Sequence, residues 1–594
     1  MSASSHSDLL PLPQRVSAGG EPWDIPARPV LGVASTNPAY QPAVARLKTA
    51  LAAAGLQLEK TSSSASSAAG ETADIRLRID PQGHIRPQAY RLGVGPGGVE
   101  IDAVDEAGLF HGVCTLIQWL RLGKTSELGE IETGVLPGIE VEDWPDIPAR
   151  GVMLDVSRNK VPTLETLFGL VDLLAGWKIN QLQLYTEHTF AYSGHEVVWQ
   201  GADPFTAQEI RELDRFCRDR FIELVPNQNS FGHFHRWLVH DPYRELAECP
   251  QGVEHPFSDE REPFSLCAVD PKSLALLEDL YDQLLPSFSS RLLNVGLDET
   301  FDLGLGRSAA ACEKKGKGRV YLEYLQAIHR LLAARGTRMQ FWGDIILEHP
   351  ELIPEIPGDA IPLAWGYEAD YPFAEHARRF AASGLDYYVC PGTSSWNSFA
   401  GRAENALLNL GRAAVAGGRA DAAGYLITDW GDFGHLQPLP VSYLGFLAGA
   451  AFSWNAQTAA EPLSSDASRL LDLHAFDAAI GLGQIALDLG NVYRHTGAKT
   501  KNGSPLFFLL LRAGETLEHQ RFAGLTSKAL TRSLTETESA ADRLSSLPAG
   551  AADSTLVARE LRWVAATLAF ACRLGLARLE RGRDQPLAAL PQPT

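Results

Sequence analysis

Cysteine is scarce in this sequence: the seven residues Cys114, Cys217, Cys249, Cys267, Cys312, Cys390 and Cys572 are odd in number, widely scattered and never form a Cys-x-x-Cys pair. That usage supports neither a disulfide framework nor a zinc site, and it fits a reducing compartment. Basic residues are also short, with 52 Lys and Arg against 72 Asp and Glu, for a net charge of −20. Without a clustered basic surface, a nucleic-acid or polyphosphate partner is excluded, and an uncharged or weakly charged small molecule fits better. The opening MSASSHSDLLPLPQ has neither a basic n-region nor an apolar h-region, and no apolar run elsewhere is long enough to span a bilayer. These absences predict a cytoplasmic protein without membrane contact.

Hydrophobic residues, by contrast, make up 45% of the chain and charged residues 21%, the balance of a globular protein with ample core material. The 594 residues suggest about 3 to 4 units at roughly 150 residues each. A single barrel takes up about 250 to 300 residues, so three units are expected. Residues 1–145 read as a small α+β domain. Its parts are a strand VLGVAS at 30–35, an alanine- and leucine-rich helix from Ala39 to Leu58, a low-complexity loop from Ser62, an alternating strand at Ile75, Leu77 and Ile79, a Gly-Pro-Gly-Gly hairpin and a helix from Gly108. The proline-stiffened Trp144–Pro148 marks the first boundary.

From Arg150, short apolar runs alternate with helical patterns: 151–157, 179–186, 221–227, 292–299, 338–345, 361–367, 386–392 and 424–432. Eight strands alternating with helices is the count of an α/β fold of the (β/α)8 TIM-barrel type, placed over 146–456, with 441–455 as its eighth helix. An open doubly wound sheet would carry a glycine-rich first loop, whereas DVSRNKVP has no glycine. The Ala/Ser-rich Gln457–Ser468 marks the second boundary, and 457–594 reads as a C-terminal helical region.

A barrel assembles its site from the C-terminal ends of its strands. In order, those ends carry Asp155 and Arg158; Tyr185, Glu187 and His188; Asn227, Asn229 and His233; Asp298 and Glu299; Trp342 and Asp344; Trp365, Tyr367 and Glu368; Trp396 and Asn397; and Trp430 and Asp432. Any one of these residues alone is ordinary packing or capping. Their recurrence on strand after strand points to a sugar, whose C–H faces stack on indoles and whose hydroxyls bond to carboxylates and arginine. The His-x-His of His233 and His235 is a metal pattern, but it follows the third strand rather than the first, so neither a metal nor a cofactor is expected.

The runs RGVMLDVSRNKVP at 150–162, PNQNSFGH ending at His233, NVGLDET around Asp298 and Glu299, and TDWGD around Trp430 resemble glycoside hydrolase family 20, the β-N-acetylhexosaminidases, with an intracellular hexosaminidase D-like branch nearest. LPLPQ and the GLFHGVCTLIQWL helix resemble that family's small α+β domain, so the similarity covers roughly residues 8 to 455. The resemblance implies a retaining exo-hydrolase that removes terminal β-linked N-acetylglucosamine or N-acetylgalactosamine through an oxazolinium intermediate. Glu299 would be its general acid and base, and Asp298 would orient the acetamido group. Arg158 would hold the distal hydroxyls, Trp430 and Asp432 would lie below and beside the ring, and Trp342 and Trp365 would complete the acetamido pocket. His233, backed by Glu187, would tune the acid.

Asn294 and Leu297 stand where the family's usual histidine and glycine precede the acidic pair. The tyrosine for the acetamido oxygen has no direct match, and Tyr388, Trp396 and Asn397 are its candidates. The implied partner is a small-molecule or oligosaccharide substrate, with a homodimer left open. The rival readings are a β-N-acetylgalactosaminidase of narrow specificity and a non-catalytic sugar-binding barrel.

Overall fold

The computed structural model describes residues 6–35, 37–60, 73–83, 86–123, 134–255, 260–459, 466–476, 481–547 and 552–585. The loop expected from Ser62 and part of the expected second boundary, 460–465, lie outside them.

Seven strands form the N-terminal sheet: β1 (Arg15–Asp24), β2 (Val30–Val33), β3 (Glu59–Lys60), β4 (Ile75–Ile79), β5 (Tyr90–Gly95), β6 (Gly98–Ala103) and β7 (Val135–Asp143), in the order β1-β7-β5-β6-β4-β2-β3. The helices Gln41–Ala53 and Glu106–Leu122 pack on it through Leu47, Leu51, Leu109, Val113 and Leu116. The long pair β1 and β7 is absent from the sequence reading. Gly19, Gly20 and Pro22 in β1 and Pro137 and Gly138 in β7 interrupt the alternation, and the pairing register shifts on both sides of Gly20, as at a bulge.

Eight parallel strands follow: β8 (Ala149–Asp155), β9 (Gln181–Tyr185), β10 (Glu223–Val225), β11 (Leu292–Asn294), β12 (Arg338–Trp342), β13 (Ile361–Trp365), β14 (Tyr388–Cys390) and β15 (Gly424–Asp429). Seven of the eight fall within the expected runs, and β8 overlaps its run of 151–157 but starts two residues earlier, at Ala149. β15 pairs with β8, and the ring closes where Asn294 N donates to Pro226 O (3.0 Å) and Gln228 N donates to Asn294 O (2.9 Å).

The period of two along each strand decides what faces where. Leu154, Leu182, Leu184, Leu224, Met339, Phe341, Val389 and Ile427 meet the surrounding helices, while Met153, Tyr185, Trp342, Leu363, Cys390 and Leu426 fill the interior. Beneath the mouth lies a buried amide layer. Gln183 Oε1 accepts from Asn227 (3.2 Å) and Asn294 (3.1 Å), and Gln183 Nε2 donates to Gln340 (2.9 Å). The helix Ala207–Arg218 shows how such elements are set: Thr206 Oγ1 caps Glu209 N (3.2 Å), Glu209 returns a bond to Thr206 N (2.8 Å), and Ile210, Leu213 and Cys217 are buried. The eighth helix is Tyr443–Trp454, and among the described residues five α-helices, Ala467–His474, Leu482–Asn491, Pro505–Leu511, Ser527–Ser545 and Ala552–Arg581, follow it.

A buried ion pair joins the N-terminal sheet to the barrel floor. Asp143, at the end of β7, accepts from Lys178 Nζ (2.8 Å), Tyr90 Oη (2.6 Å) and Trp454 Nε1 (2.8 Å) with no exposure on either charged side chain beyond 1%. Taking away one partner leaves the other charge stranded in a dry interface. Lys178→Ala is therefore expected to lower stability in urea unfolding by about 3 to 5 kcal/mol. The double change Lys178→Met with Asp143→Leu should be milder than the single one, and the reverse order would show that the pair carries no such strain.

Candidate active site

The loops after the first four barrel strands bring one string of alternating charges to the mouth. Asp155, the last residue of β8, accepts from Arg158 NH1 (2.9 Å), Gly431 N (2.8 Å) and Ser157 N (2.9 Å). Arg158 NH2 reaches Glu187 Oε1 at 3.0 Å. Tyr185 Oη donates to the same oxygen at 3.0 Å and accepts from Asn229 Nδ2 at 2.6 Å. The guanidinium lies 4.7 Å from the ring centre of Tyr185 and 5.5 Å from that of Trp430. Burial works against the charge on Arg158, but Asp155 and Glu187 overcome it and hold the group firmly protonated.

His233 continues the string. Its Nδ1 is 3.8 Å from Glu187 Oε1, and its Nε2 faces both members of the acidic pair, Asp298 at 3.4 Å and Glu299 at 3.2 Å. Burial pushes the imidazole down, but Asp298 and Glu299 override that and carry it up to about 10. His233, Asp298 and Glu299 also form the single group among the described residues whose donor atoms are close enough to hold a metal ion, all within 4.8 Å. Arg158 NH2 already stands 3.5 Å from His233 Nδ1, so the set carries its own cation and fits an ion-pair cluster better than a metal centre. His235 is outside the group; its ring lies parallel to that of Phe264.

The close approach of these loops has a backbone basis. A Cβ on Gly232 would stand 2.4 Å from Asp298 O. Gly296, Leu297 and Glu299 all have left-handed φ, +71°, +75° and +50°, as does His233 at +55°. Leu297 occupies this region without glycine's freedom, held by burial and by Tyr321 Oη donating to its carbonyl (3.1 Å).

The aromatic wall comes from the later strands. Trp342, Trp430 and Tyr185 meet at centroid distances of 5.9 and 4.6 Å, Trp365 stacks on Tyr367 at 5.1 Å, and Tyr367 meets the edge of Trp396 at 5.1 Å. Tyr367 Oη accepts from Trp430 Nε1 (2.8 Å). Among the buried polar atoms beside this wall that have no hydrogen-bond partner are Trp342 Nε1 and Asp298 Oδ1. Asp344 anchors the acidic pair from below: it accepts from Glu299 N and from Trp365 Nε1, each at 3.2 Å. Burial, with the neighbouring charges of Asp298 and Glu299, pushes its carboxyl up to about 8. Asp432 accepts from Asn397 Nδ2 (2.8 Å) and is pushed up to about 6 by burial, against the pull of Arg158.

Of the residues expected from sequence, Arg158, Glu187, His233, Asp298, Glu299, Trp342, Trp365, Trp396, Trp430 and Asp432 lie at the mouth. Tyr388 does not. Its hydroxyl contacts Gln181 (3.3 Å) at the first residue of β9, and its ring covers Gly424 at the start of β15. It therefore belongs to the barrel floor, on the far side of the amide layer. Besides Tyr185, the tyrosine at the mouth is Tyr367, two residues past the end of β13. Trp396 is no open platform, being 1% exposed, with its indole N–H bonded to Asn502 Oδ1 (3.0 Å). Asn502 comes from the helical C-terminal region and went unnoticed in the sequence, where no motif surrounds it. A cavity of about 860 Å³ lies elsewhere, between the helices Gln41–Ala53 and Leu164–Gly176. Its lining holds one indole, Trp177, and two carboxylates, Asp172 and Asp219, of which Asp172 is paired with Arg46 and Arg220.

Comparisons with known proteins agree with this architecture. Residues 6–144 match the family model "Glycosyl hydrolase family 20, domain 2", and residues 148–401 match "Glycosyl hydrolase family 20, catalytic domain". The chain is 22% identical over 367 residues to a beta-hexosaminidase of Porphyromonas gingivalis, covering 57% of this chain and 45% of that protein. It is 26% identical over 222 residues to hexosaminidase D of Bos taurus, covering 36% of this chain and 60% of that protein. The chain thus spans about half the length of the relatives it matches. Among solved structures, a Streptomyces plicatus N-acetyl-beta-hexosaminidase in complex with Thio-NAglucal aligns with a TM-score of 0.61 at 21% identity, covering 82% of this chain and 95% of that one. A Flavobacterium johnsoniae chitobiase aligns with a TM-score of 0.63 at 17% identity, covering 97% and 93%.

The position of His233 makes a pH prediction. Its folded-state value of about 10 lies above the unfolded value of about 6.5. The stability that it contributes is therefore complete below about pH 6.5 and is lost as pH rises toward the folded value. An NMR titration of the His233 ring should show protonation persisting past pH 8, and a midpoint below 7 would remove the imidazolium from the cluster.

Proposed function

This chain belongs to glycosyl hydrolase family 20, and from that premise we propose that it is a retaining exo-β-N-acetylhexosaminidase acting by substrate-assisted catalysis. One observation carries the mechanism: Asp298 and Glu299 converge on a single nitrogen, His233 Nε2, at 3.4 and 3.2 Å. Both carboxylates therefore approach the cleft from one side. A retaining enzyme that used two protein carboxylates would need them on opposite faces of the sugar, about 5 Å apart. The other carboxylates at the mouth have protein partners: Asp155 and Glu187 have Arg158, Asp344 has Glu299 N and Trp365 Nε1, Glu368 has Arg402 and Asn502 N, and Asp432 has Asn397. The nucleophile then arrives with the substrate, as its own 2-acetamido oxygen.

In this reading the acetamido group enters among Trp342, Trp365 and Trp430. Its N–H meets Asp298, whose Oδ1 is buried and without a partner. Tyr367 takes the acetamido-oxygen position for which Tyr388, Trp396 and Asn397 were the candidates. As the oxygen attacks the anomeric carbon, Glu299 protonates the departing glycosidic oxygen, and Asp298 stabilises the positive charge that develops on the acetamido nitrogen. The oxazolinium ring that results is opened by a water from which Glu299 removes the proton, and the two inversions give overall retention. Glu299 suits this role because its side chain is 28% exposed, against 9% for Asp298. Arg158 and Asp432 meet the distal hydroxyls, and Trp430 lies beneath the ring.

The same reading divides the chain into 1–145, 146–456 and 457–594, supported by separate matches for the first two parts. Among the described residues no helix is long and apolar enough to cross a membrane. All seven cysteines are unpaired, which supports a cytosolic setting.

The test uses nitrophenyl β-glycosides of N-acetylglucosamine, N-acetylgalactosamine and glucose. Turnover of the first two is expected, with the β-anomer as the first product seen by NMR. The glucoside, which lacks the internal nucleophile, should be inert. Glu299→Gln should lose about 10²-fold or more with a poor leaving group. Comparable turnover of the glucoside would sink the substrate-assisted mechanism, and an unchanged rate in Glu299→Gln would sink the assignment of the acid.

A further inference from the structure

One loop of the C-terminal helical region reaches the barrel mouth. It runs between the short turn Val492–His495 and the helix Pro505–Leu511, and Asn502 stands within it. Three polar groups of this one residue bond to segments that follow two different barrel strands. Its N–H donates to Glu368 Oε1 (2.6 Å), beyond β13. Its side-chain Oδ1 accepts from Trp396 Nε1 (3.0 Å), and its carbonyl accepts from Asn397 Nδ2 (3.1 Å), both beyond β14.

The connection extends to a third strand. Asn397 Nδ2 gives its other hydrogen to Asp432 Oδ2 (2.8 Å), beyond β15. Both hydrogens of one amide are thus used, one on the loop and one on Asp432, which fixes the orientation of the amide. Ser504 N donates to Asn397 O (2.8 Å) and closes the link from the other side. Asn502 and Asn397 both take left-handed backbone, with φ of +54° and +51°, a region that asparagine enters more readily than most residues. Trp396 and Asn397 are almost fully buried, at 1% and 4% exposure, so neither side chain has room to find a different partner.

We propose that Asn502 is a positioning residue of the sugar site: it sets the indole of Trp396 directly and the carboxylate of Asp432 through Asn397, so that the C-terminal region helps to shape the wall that reads the substrate's hydroxyls. What is bound there rests on the function proposed above. A loop that merely fastened the helices to the barrel would need none of these bonds to end on mouth residues, since apolar packing such as Phe433 against Phe508 and Phe399 against Phe507 already joins the two regions.

Two variants separate positioning from fastening. Asn502→Gly keeps the left-handed backbone and both main-chain bonds, and deletes only the acceptor for Trp396. Asn502→Asp retains that acceptor. With the N-acetylglucosaminide, the glycine variant should raise KM by about 3- to 10-fold, the equivalent of one lost hydrogen bond, while kcat stays within about threefold. The aspartate variant should remain within about twofold of the parent enzyme. Calorimetric binding of free N-acetylglucosamine, which needs no turnover, should weaken by the same factor. Parent-like KM and binding in the glycine variant, or equal impairment in both variants, would overturn the positioning role. If the unmodified protein neither hydrolyses the glycoside nor binds the sugar, the proposed function itself fails and takes this inference with it.

Discussion

A protonated imidazole held among carboxylates is the constraint on which the mouth of this barrel depends. His233 lies at 3% exposure between Glu187 on one side and Asp298 with Glu299 on the other. Removing so many charges from water is costly, and the cost is offset only if signs alternate at short range and the remaining hydrogen-bonding capacity is filled. The chain meets that condition with Asp155, Arg158, Glu187, His233 and the acidic pair in sequence, so each loop can adopt its buried position only when its neighbours do. This explains why the backbone accepts left-handed φ at His233, Leu297 and Glu299, conformations that cost about 1 to 3 kcal/mol each for non-glycine residues. It also explains why Gly232 admits no side chain: any added atom there would force the third and fourth loops apart and separate the imidazole from both of its acids.

Rigidity at the mouth is supplied from below. The amides of Asn227, Asn294 and Gln340 are tied together through Gln183 inside the barrel, where apolar residues alone would leave neighbouring strands free to choose between similar packings. Asn294 has two roles in this set, since its Oδ1 also accepts from Gly296 N (3.0 Å) and so aims the turn that presents Asp298. The replacement of the family's usual histidine at this position is therefore accommodated by amide pairing. Further down, the Asp143–Lys178 pair attaches the N-terminal sheet to the barrel floor, where Lys178 also lies 4.4 Å from the indole centre of Trp454 on the last barrel helix. The sheet is thereby fixed to the first and last elements of the barrel at once.

How much of this was legible beforehand depended on the kind of signal. The eight barrel strands could be read because each is a short apolar run buried on both sides, and the ordered arrival of Asp, Glu, Trp and Arg at their ends is a pattern in one dimension. Strands β1 and β7 were not, because a bulge and internal Gly and Pro residues break the alternation that marks a strand. Tyr388 was misplaced for a different reason. Parity along β14 says that Tyr388 and Cys390 both face inward, but not how deep each lies, and depth is set by the stagger between neighbouring strands. Register places Tyr388 beside Leu363 and Gly424, well below the mouth. Asn502 carried no signal at all, because its importance comes from what the fold brings beside it.

The division of labour proposed for the two adjacent carboxylates rests on depth as well. Neighbouring residues in regular structure would share an environment, but the left-handed φ at Glu299 turns its side chain away from that of Asp298. Asp298, with one oxygen on His233 and the other buried without a partner, is suited to meet an amide N–H and the charge that grows on it, where low local dielectric strengthens the interaction. Glu299 reaches the same imidazole but keeps contact with solvent, and a group that must give up a proton and later take one from water needs that access. Asp344 completes the separation. Burial and the charges of Asp298 and Glu299 push its carboxyl up to about 8, which disfavours a third full negative charge beside the pair, while its oxygen accepts from Glu299 N and fixes that backbone. Under the proposed mechanism, the strained turn between β11 and the helices that follow is what lets one loop supply both a buried counter-charge and an exposed acid.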